Sequence, residues 1–294
     1  MNKLNIKLIA DSGSELSKEI IEKYDIEMLP MVITDGKNEY LDGVNITPQD
    51  VLKGMVNGVV YKTAQVPLKI FIEKFEKYAA IGQPVVCIVM SSGITSSKKA
   101  GETAKQIVLE KYPKADITVV DSKCCALGYG LLVMETAKYL ETKAESKEDL
   151  LNYIEYLQKN IVHLWTVDKM EYLYRGGRIS KTQVIISQAL NIKPIFDVDP
   201  DGKLRLIGKA RGSKNVAKFM KNKVRELVGD LDISTQTICI SSGVYRDLMM
   251  EIKDFFEKEY NVKKFILQDI GSVVGAHTGP YMTTFYFFTA PLKA

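Results

Sequence analysis

The sequence is poor in the features that mark metal sites, disulfide frameworks and membrane spans. Its four cysteines include the adjacent pair Cys124 and Cys125 and no C-x-x-C spacing, and its two histidines, His163 and His277, lie far apart. Neither a disulfide framework nor a zinc site follows from such a pattern. The longest apolar run, Val85 to Met90, falls far short of the roughly 20 residues that a membrane-crossing helix needs. We therefore expect no bound metal and no stable insertion into a membrane.

An excess of positive charge is lacking as well. The chain has 40 Lys+Arg against 36 Asp+Glu, a net charge of +4 that is scattered along the sequence, so no nucleic-acid partner is predicted. The nucleotide-binding pattern G-x-x-x-x-G-K-[ST] and the hydrolase pattern G-x-S-x-G do not occur. The apolar stretch before Asp11 is too short for the core of a secretory signal. We expect a cytoplasmic protein.

What is present is an alternation of short apolar runs and amphipathic segments. The chain has 294 residues, 46% of them hydrophobic, enough for one large or two modest domains. The alternation predicts an α/β fold whose first domain, residues 1–150, has a mostly parallel sheet flanked by helices. The second domain, residues 151–294, is predicted to be mixed α+β. It should contain a helix over 182–190, a hairpin that turns at Asp199–Gly202 and a final aromatic strand.

Small hydroxylated turns follow three of the predicted strands of the first domain. They are Asp11–Ser14, Ser91–Gly93 and Asp121–Ser122. Because parallel strands end at one edge of a sheet, and ligands of open α/β sheets bind at that edge, the turns together predict a ligand site. The run from Ser91 to Ser97 carries five hydroxyls before a predicted helix, a pattern that favours an anion. The alternative is that one of its serines only caps the helix.

Two segments of the second half also carry chemistry. His277 lies between glycines and a proline that fix the backbone path around a titratable ring, although a lone histidine can equally be structural. We interpret His163 as structural and Trp165 as a packing residue. The other segment is the run Arg175, Gly176, Gly177 and Arg178, in which two arginines flank a sterically open backbone. The arginines can dock an acidic group, or the run can be an ordinary surface turn.

Taken together, these segments resemble the DegV family over nearly the whole chain. The matching segments are Asp11–Ser14, Thr63–Pro67, Ser91–Ile94, Asp121–Ser122 with Gly128 and Gly130, Tyr172–Ser180, Asn191–Pro194 and Gly275–Pro280. The resemblance implies that one long-chain fatty acid binds between the two domains, its carboxylate at the junction and its tail in an apolar tunnel, without any other cofactor. It also implies that the protein is a carrier subunit, which presents the carboxylate to a separate ATP-dependent fatty acid kinase. The kinase phosphorylates the carboxylate, and the resulting acyl phosphate feeds phospholipid synthesis.

The resemblance also implies roles for individual residues. By motif position, carboxylate binding falls on Thr63, Ser91, Ser92, His277 and Thr278, with no catalytic residue. The resemblance places four further residues near the headgroup or on the kinase-docking face: Arg175, Gly176, Gly177 and Arg178. The sequence departs from the family pattern at Ala64 and Val66, where Ser and Pro are usual, and at Tyr281, where glycine is usual. Because of these departures, the resemblance does not fix which fatty acid chain length is preferred or whether the loaded protein is a competent substrate for the kinase.

Two other functions remain open at the level of sequence. One is a hydrolase or transferase for acyl or phosphoryl substrates, with Ser92 as the nucleophile and His277 as the base. The other is a regulatory binding protein for a different small anion.

Overall fold

The computed structural model of the protein describes residues 4–180 and 192–293. The predicted helix 182–190 and Asn191 lie outside the described residues. The strands are β1 (Lys7–Asp11), β2 (Glu27–Leu29), β3 (Val32–Thr34), β4 (Glu39–Leu41), β5 (Lys62–Ala64), β6 (Val85–Val89), β7 (Ile117–Asp121), β8 (Ile161–Thr166), β9 (Ile192–Val198), β10 (Leu204–Arg211), β11 (Thr237–Ser242), β12 (Lys264–Asp269) and β13 (Thr283–Phe288). The helices are α1 (Lys18–Lys23), α2 (Pro48–Val56), α3 (Leu68–Ala80), α4 (Ser97–Lys111), α5 (Ala126–Thr142), α6 (Lys147–Asn160), α7 (Glu171–Arg175), α8 (Ser213–Val228), α9 (Asp247–Tyr260) and α10 (Ser272–Thr278), with a 3₁₀ turn at Ser12–Ser14.

The first sheet is fully parallel, with strand order β2-β1-β6-β7. Helices cover both of its faces: Ile9 and Cys87 pack in the same cluster as α3 and α4, whereas Leu8 and Val86 pack with α5 and α6. Burial on both faces explains why β1 and β6 read as continuous apolar runs rather than as alternating ones. The predicted α/β class is confirmed, and the three hydroxylated turns follow β1, β6 and β7 at one edge.

A small antiparallel sheet, β4-β3-β5, lies beside the parallel one. The run Met28–Thr34 is divided between two sheets, because Pro30 has no N–H to continue the ladder of β2. From sequence, the segment Lys62–Pro67 is predicted to be a loop that leads into a helix. This prediction is wrong for its first three residues, since Lys62–Ala64 pairs with β3. Pairing with Ile33 therefore holds Thr63 on a strand.

The second sheet is mixed, with order β10-β9-β8-β13-β11-β12 and one parallel pair, β11 with β12. The predicted aromatic strand is β13, which is buried along its whole length. The predicted hairpin is β9–β10, which turns at Asp199–Gly202. Helices α8 and α9 cover one face of this sheet.

Helix α5 lies between the two large sheets. It packs against β1 and β6 on one side and against Cys239 and Tyr286 of the second sheet on the other. The helix is therefore buried around nearly its whole circumference, which explains why its sequence is apolar on all sides. Residue 150, where we divide the chain, falls within α6, which packs on α5.

Candidate functional site

A largely apolar cavity lies where the loop after β6, the strand β5 and helix α10 meet the second sheet. The space within it that water-sized molecules can occupy is about 50 Å³, and its total empty space, including the part that opens to solvent, is about 520 Å³. Much of its wall is apolar, including Met31, Met90, Leu173, Leu204, Val273 and Met282. Its polar lining residues are Thr63, Thr95, Arg178, His277 and Thr278. The cavity thus combines an apolar wall with a small group of hydrogen-bonding side chains, as small-molecule sites commonly do.

The polar group is centred on a hydrogen bond between Thr63 Oγ1 and His277 Nε2, at 2.7 Å. Strand β5 positions the threonine and helix α10 positions the histidine, 214 residues away. Burial, together with the nearby positive charge of Arg178, lowers the pKa of His277 to about 4. The imidazole is therefore neutral near pH 7 and can act either as donor or as acceptor to the threonine hydroxyl.

Gly176 packs directly against the other ring nitrogen of His277. A Cβ atom on Gly176 would lie 2.1 Å from His277 Nδ1, so a side chain at this position would displace the imidazole. Nδ1 is buried and has no hydrogen-bond partner within residues 4–180 and 192–293. The glycine assigned to the headgroup vicinity therefore contributes by leaving room for the histidine ring.

Arg178 brings positive charge to the cavity. Its Nε donates to Ile94 O at 3.3 Å and its Nη1 to Gly176 O at 2.5 Å, while burial lowers the pKa of the guanidinium. No carboxylate in the described part of the chain forms an ion pair with it. Because a guanidinium has five N–H donors and Arg178 is half-buried without a counter-charge among the described residues, this arrangement favours an anionic ligand.

Arg175 is placed differently. It is exposed, it does not line the cavity, and its Cζ lies 4.8 Å from the centre of the Tyr172 ring. Gly177, between the two arginines, has a positive φ of 72° with open space around its Cα, as a tight turn requires. Only one of the two arginines therefore faces the cavity.

The hydroxyls of Ser91 and Ser92 point to other partners. Ser91 Oγ donates to Gly202 O at 2.7 Å, and Ser92 Oγ donates to the carboxylate of Asp121, which also accepts from Ser92 N at 3.0 Å. Neither serine lines the cavity. Their loop reaches the cavity through Thr95, after a turn in which the amides of residues 94 and 95 both donate to the carbonyl of Ser91.

Sequence reasoning missed Thr95 and undervalued Trp165. The threonine belongs to the five-hydroxyl run, but only the turn decides which of those residues lines the cavity. Its hydroxyl is hydrogen-bonded to Ser97 Oγ at 3.1 Å and accepts from Ser97 N at 3.3 Å. Trp165 is buried, lines the cavity, and its Nε1 has no partner among the residues described. Thr278 lines the cavity too, although its hydroxyl donates to Val274 O within α10 at 2.9 Å.

The nucleophile and base of a serine enzyme are not paired here. Ser92 Oγ bonds to Asp121, and the only hydrogen bond of His277 within the described ranges joins its Nε2 to Thr63. Activation of a serine needs a hydrogen bond between the hydroxyl and its base. Across residues 4–180 and 192–293, no cluster of three or more His, Cys, Asp and Glu side chains could hold a metal ion. No helix in the same ranges has the length and apolar character needed to cross a membrane.

Comparison with known protein families decides the relationship. The sequence profile of the DegV family, described as uncharacterised proteins, matches residues 5–290. The chain belongs to the DegV family. A DegV domain-containing protein of Clostridium perfringens is 30% identical over 274 residues, 92% of this chain and 93% of the relative. One from Lactococcus lactis is 29% identical over 278 residues, 94% of this chain and 95% of the relative.

Solved structures of DegV proteins share the fold. A stearic acid-binding protein from Eubacterium ventriosum has 27% sequence identity and a TM-score of 0.87, covering 96% of this chain and 98% of the other. The DegV fatty acid-binding protein of Bacillus subtilis has 21% identity and a TM-score of 0.85, with 97% and 99% covered. The structural neighbours of this DegV protein are thus fatty-acid-binding proteins, and the predicted family is confirmed.

Proposed function

We propose that this DegV protein binds one long-chain fatty acid in the cavity between the two large sheets. The observation that carries the proposal is the half-buried Arg178, which has no carboxylate partner among the described residues and lies at an apolar cavity beside the Thr63–His277 pair. A ligand with one anionic end and a long apolar tail matches both parts. The likeness to the stearic acid-binding protein of Eubacterium ventriosum supports the same ligand class.

The two ends of such a ligand contribute differently to binding. Each buried methylene contributes about 0.8 kcal/mol, so roughly 15 methylenes supply on the order of 12 kcal/mol before the costs of association. A hydrogen bond to a charged headgroup contributes about 1.5 to 3 kcal/mol. The tail therefore dominates affinity, and the polar groups decide which end of the ligand lies at Thr63.

For the carboxylate we propose Thr63, His277 and Arg178 as the principal contacts, in a cavity that Thr95 also lines. The contacts of Ser91, Ser92 and Thr278 with the carboxylate stay predictions. Their hydroxyls now donate to Gly202 O, Asp121 and Val274 O, and each would have to exchange that partner for the ligand.

We further propose that the protein is a non-catalytic carrier that presents the carboxylate to an ATP-dependent fatty acid kinase in the cytoplasm, upstream of phospholipid synthesis. The missing nucleotide-binding pattern and the missing Ser92–His277 hydrogen bond support a carrier over an enzyme. Exposed Tyr174 and Arg175, next to the cavity-lining Leu173, offer a face for the kinase. The division into residues 1–150 and 151–294, with the ligand between, belongs to the same proposal, and no further cofactor is needed.

Mass spectrometry of an organic extract tests the ligand. Protein purified under native conditions should release close to one long-chain fatty acid per chain, and delipidated protein should rebind it. Extraction of a different small anion, with no fatty acid bound on reloading, would overturn the proposal. Labelling of Ser92 by a fluorophosphonate, with turnover of an acyl ester by the protein alone, would instead establish the hydrolase.

A further inference from the structure

The hydroxylated turn Asp11–Ser14 does not line the cavity proposed for the fatty acid, which is called the first cavity below. Through Ser12 it lines a second cavity instead, at the carboxyl end of β1. The space within the second cavity that water-sized molecules can occupy is about 230 Å³. The segment after β4, the end of β12 and the start of α10 complete its wall, and the two cavities share no lining residue.

Two acidic side chains without a positive partner line the second cavity. Asp42 is 8% exposed, and Glu15 follows the turn, where its Oε2 accepts from Ser241 Oγ at 3.2 Å. No lysine or arginine of the described ranges lines the second cavity, and neither acid forms an ion pair there. A third acid, Asp269, is paired with Arg246. Burial, with a smaller contribution from Asp42, raises the pKa of Glu15 to about 8, as expected for a carboxylate that has no cation beside it.

The polar atoms of the second cavity converge and lack hydrogen-bond donors. Glu15 Oε1 is buried without a partner among the described residues, and a Cβ on Gly271 would lie 2.7 Å from this oxygen. The next residue, Ser272, is 1% exposed and lines the second cavity, and its Oγ has no partner within hydrogen-bond distance in the same ranges. The hydroxyls of Ser12 and Ser272 are the polar neighbours of the Asp42 carboxylate. Two carboxylates and a hydroxyl therefore surround one space as hydrogen-bond acceptors.

The remaining wall of the second cavity is mostly apolar. Its apolar lining residues are Leu16, Ile21, Met28, Pro30, Val44 and Pro48. An alkylammonium ion matches both parts, because its three N–H donors suit Glu15, Asp42 and Ser272 and its methylenes suit the apolar wall. A hydrated metal ion would leave that wall without a partner, and the described residues contain no cluster of three metal-binding side chains.

We propose that the second cavity binds a small alkylammonium ion, which Glu15, Asp42 and Ser272 hold by its nitrogen. The site is independent of fatty acid binding, because the two cavities have no lining residue in common. Each carboxylate should act as the acceptor of a charge-assisted hydrogen bond, which corresponds to about 10- to 150-fold in affinity.

Methionine methyl groups report which cavity is occupied. Met28 lines the second cavity, whereas Met31, Met90 and Met282 line the first. In protein labelled with ¹³C-methyl methionine, and with the Met28 signal assigned from a Met28→Leu variant, n-hexylamine at neutral pH should shift that signal to saturation. The signals of Met31, Met90 and Met282 should stay in place. n-Hexanol has the same chain without the charge and should bind at least about 10-fold more weakly.

Asp42→Asn removes one carboxylate with almost no change of shape. It should weaken hexylamine binding by about 10-fold or more, and change hexanol binding by less than about 3-fold because the apolar wall is intact. Glu15→Gln should have the same effect through the other carboxylate. Asp201→Asn is the control for the loss of one negative charge, since Asp201 is exposed and lines neither cavity. It should leave both affinities unchanged.

Four results would overturn the alkylammonium site. One is the absence of a saturable Met28 shift with hexylamine, and another is equal affinity for hexylamine and hexanol, which would show a purely apolar cavity. A Met28 shift caused by Mg²⁺ alone, with displacement of hexylamine, would assign the carboxylates to a metal ion. Shifts at Met31, Met90 and Met282 in place of Met28 would put the amine in the first cavity. Each of these results leaves the proposed fatty acid binding standing.

Discussion

Replacing Arg178 by glutamine tests the charge that the cavity offers to its ligand. The variant Arg178→Gln keeps a shorter, uncharged polar side chain and removes the guanidinium. In the structure two of the five donors are used, by Ile94 O and Gly176 O, and no carboxylate among the described residues neutralises the charge. A bound fatty acid carboxylate is therefore the expected partner of the remaining donors.

The expected magnitude follows from the loss of one charge-assisted interaction. Such an interaction contributes about 1.5 to 3 kcal/mol, so the fatty acid should bind about 10- to 150-fold more weakly at neutral pH. A fatty alcohol of equal chain length buries the same tail but carries no charge. Its affinity should fall by less than about 3-fold, because the tail contribution is unchanged.

Isothermal titration calorimetry of the delipidated proteins, with both ligands, measures these affinities. Arg175→Gln is the matched control, since Arg175 is exposed and stacks on Tyr172 outside the cavity. It should leave both affinities within about 2-fold. Equal losses of acid and alcohol in Arg178→Gln, or an equal loss of the acid in Arg175→Gln, would refute the assignment of the counter-charge to Arg178.

Three further outcomes are expected. Burial lowers the pKa of His277 from 6.5 to about 4, so the folded state disfavours the protonated ring. The free energy of unfolding should therefore fall as the pH drops from 6.5 to about 4. Urea titrations over this pH range should show a smaller fall in the free energy of unfolding for His277→Gln. Gly176→Ala should displace the imidazole and, like His277→Gln, weaken fatty acid binding, and a calorimetric affinity equal to that of the unmodified protein would contradict this. Thr63→Ala or Ser92→Ala should lower kinase-dependent acyl phosphate formation more than fatty acid retention, and equal losses in the two assays would show that the headgroup contacts also determine retention.

Much of the fold follows from local patterns. The apolar runs at Val85–Val89 and Ile117–Asp121 form central and edge strands of a parallel sheet, and the hairpin at Asp199–Gly202 lies where its turn residues predict. Short polar strands are harder to predict from sequence. Strand β5, for example, has no apolar run of its own and is defined only by its pairing with β3. Motif position nominates Thr63 as a carboxylate contact, which stays a prediction, whereas its place on a strand follows only from that pairing.

The sequence by itself determined the family, the α/β class and the pairing of hydroxyl-rich turns with one sheet edge, because periodicity and turn chemistry are local properties of the chain. Only the tertiary structure decided which polar atoms face the cavity. Thr63 meets His277 across 214 residues, Arg178 lacks an acidic partner among the described residues, and the hydroxyls of Ser91 and Ser92 are taken up by Gly202 and Asp121. Ser92 meets Asp121 at the edge of one sheet, whereas Ser91 meets Gly202 across the junction of the two large sheets. In each case the final hydrogen-bond partner of a side chain is set by the packing of distant segments rather than by its neighbours in sequence.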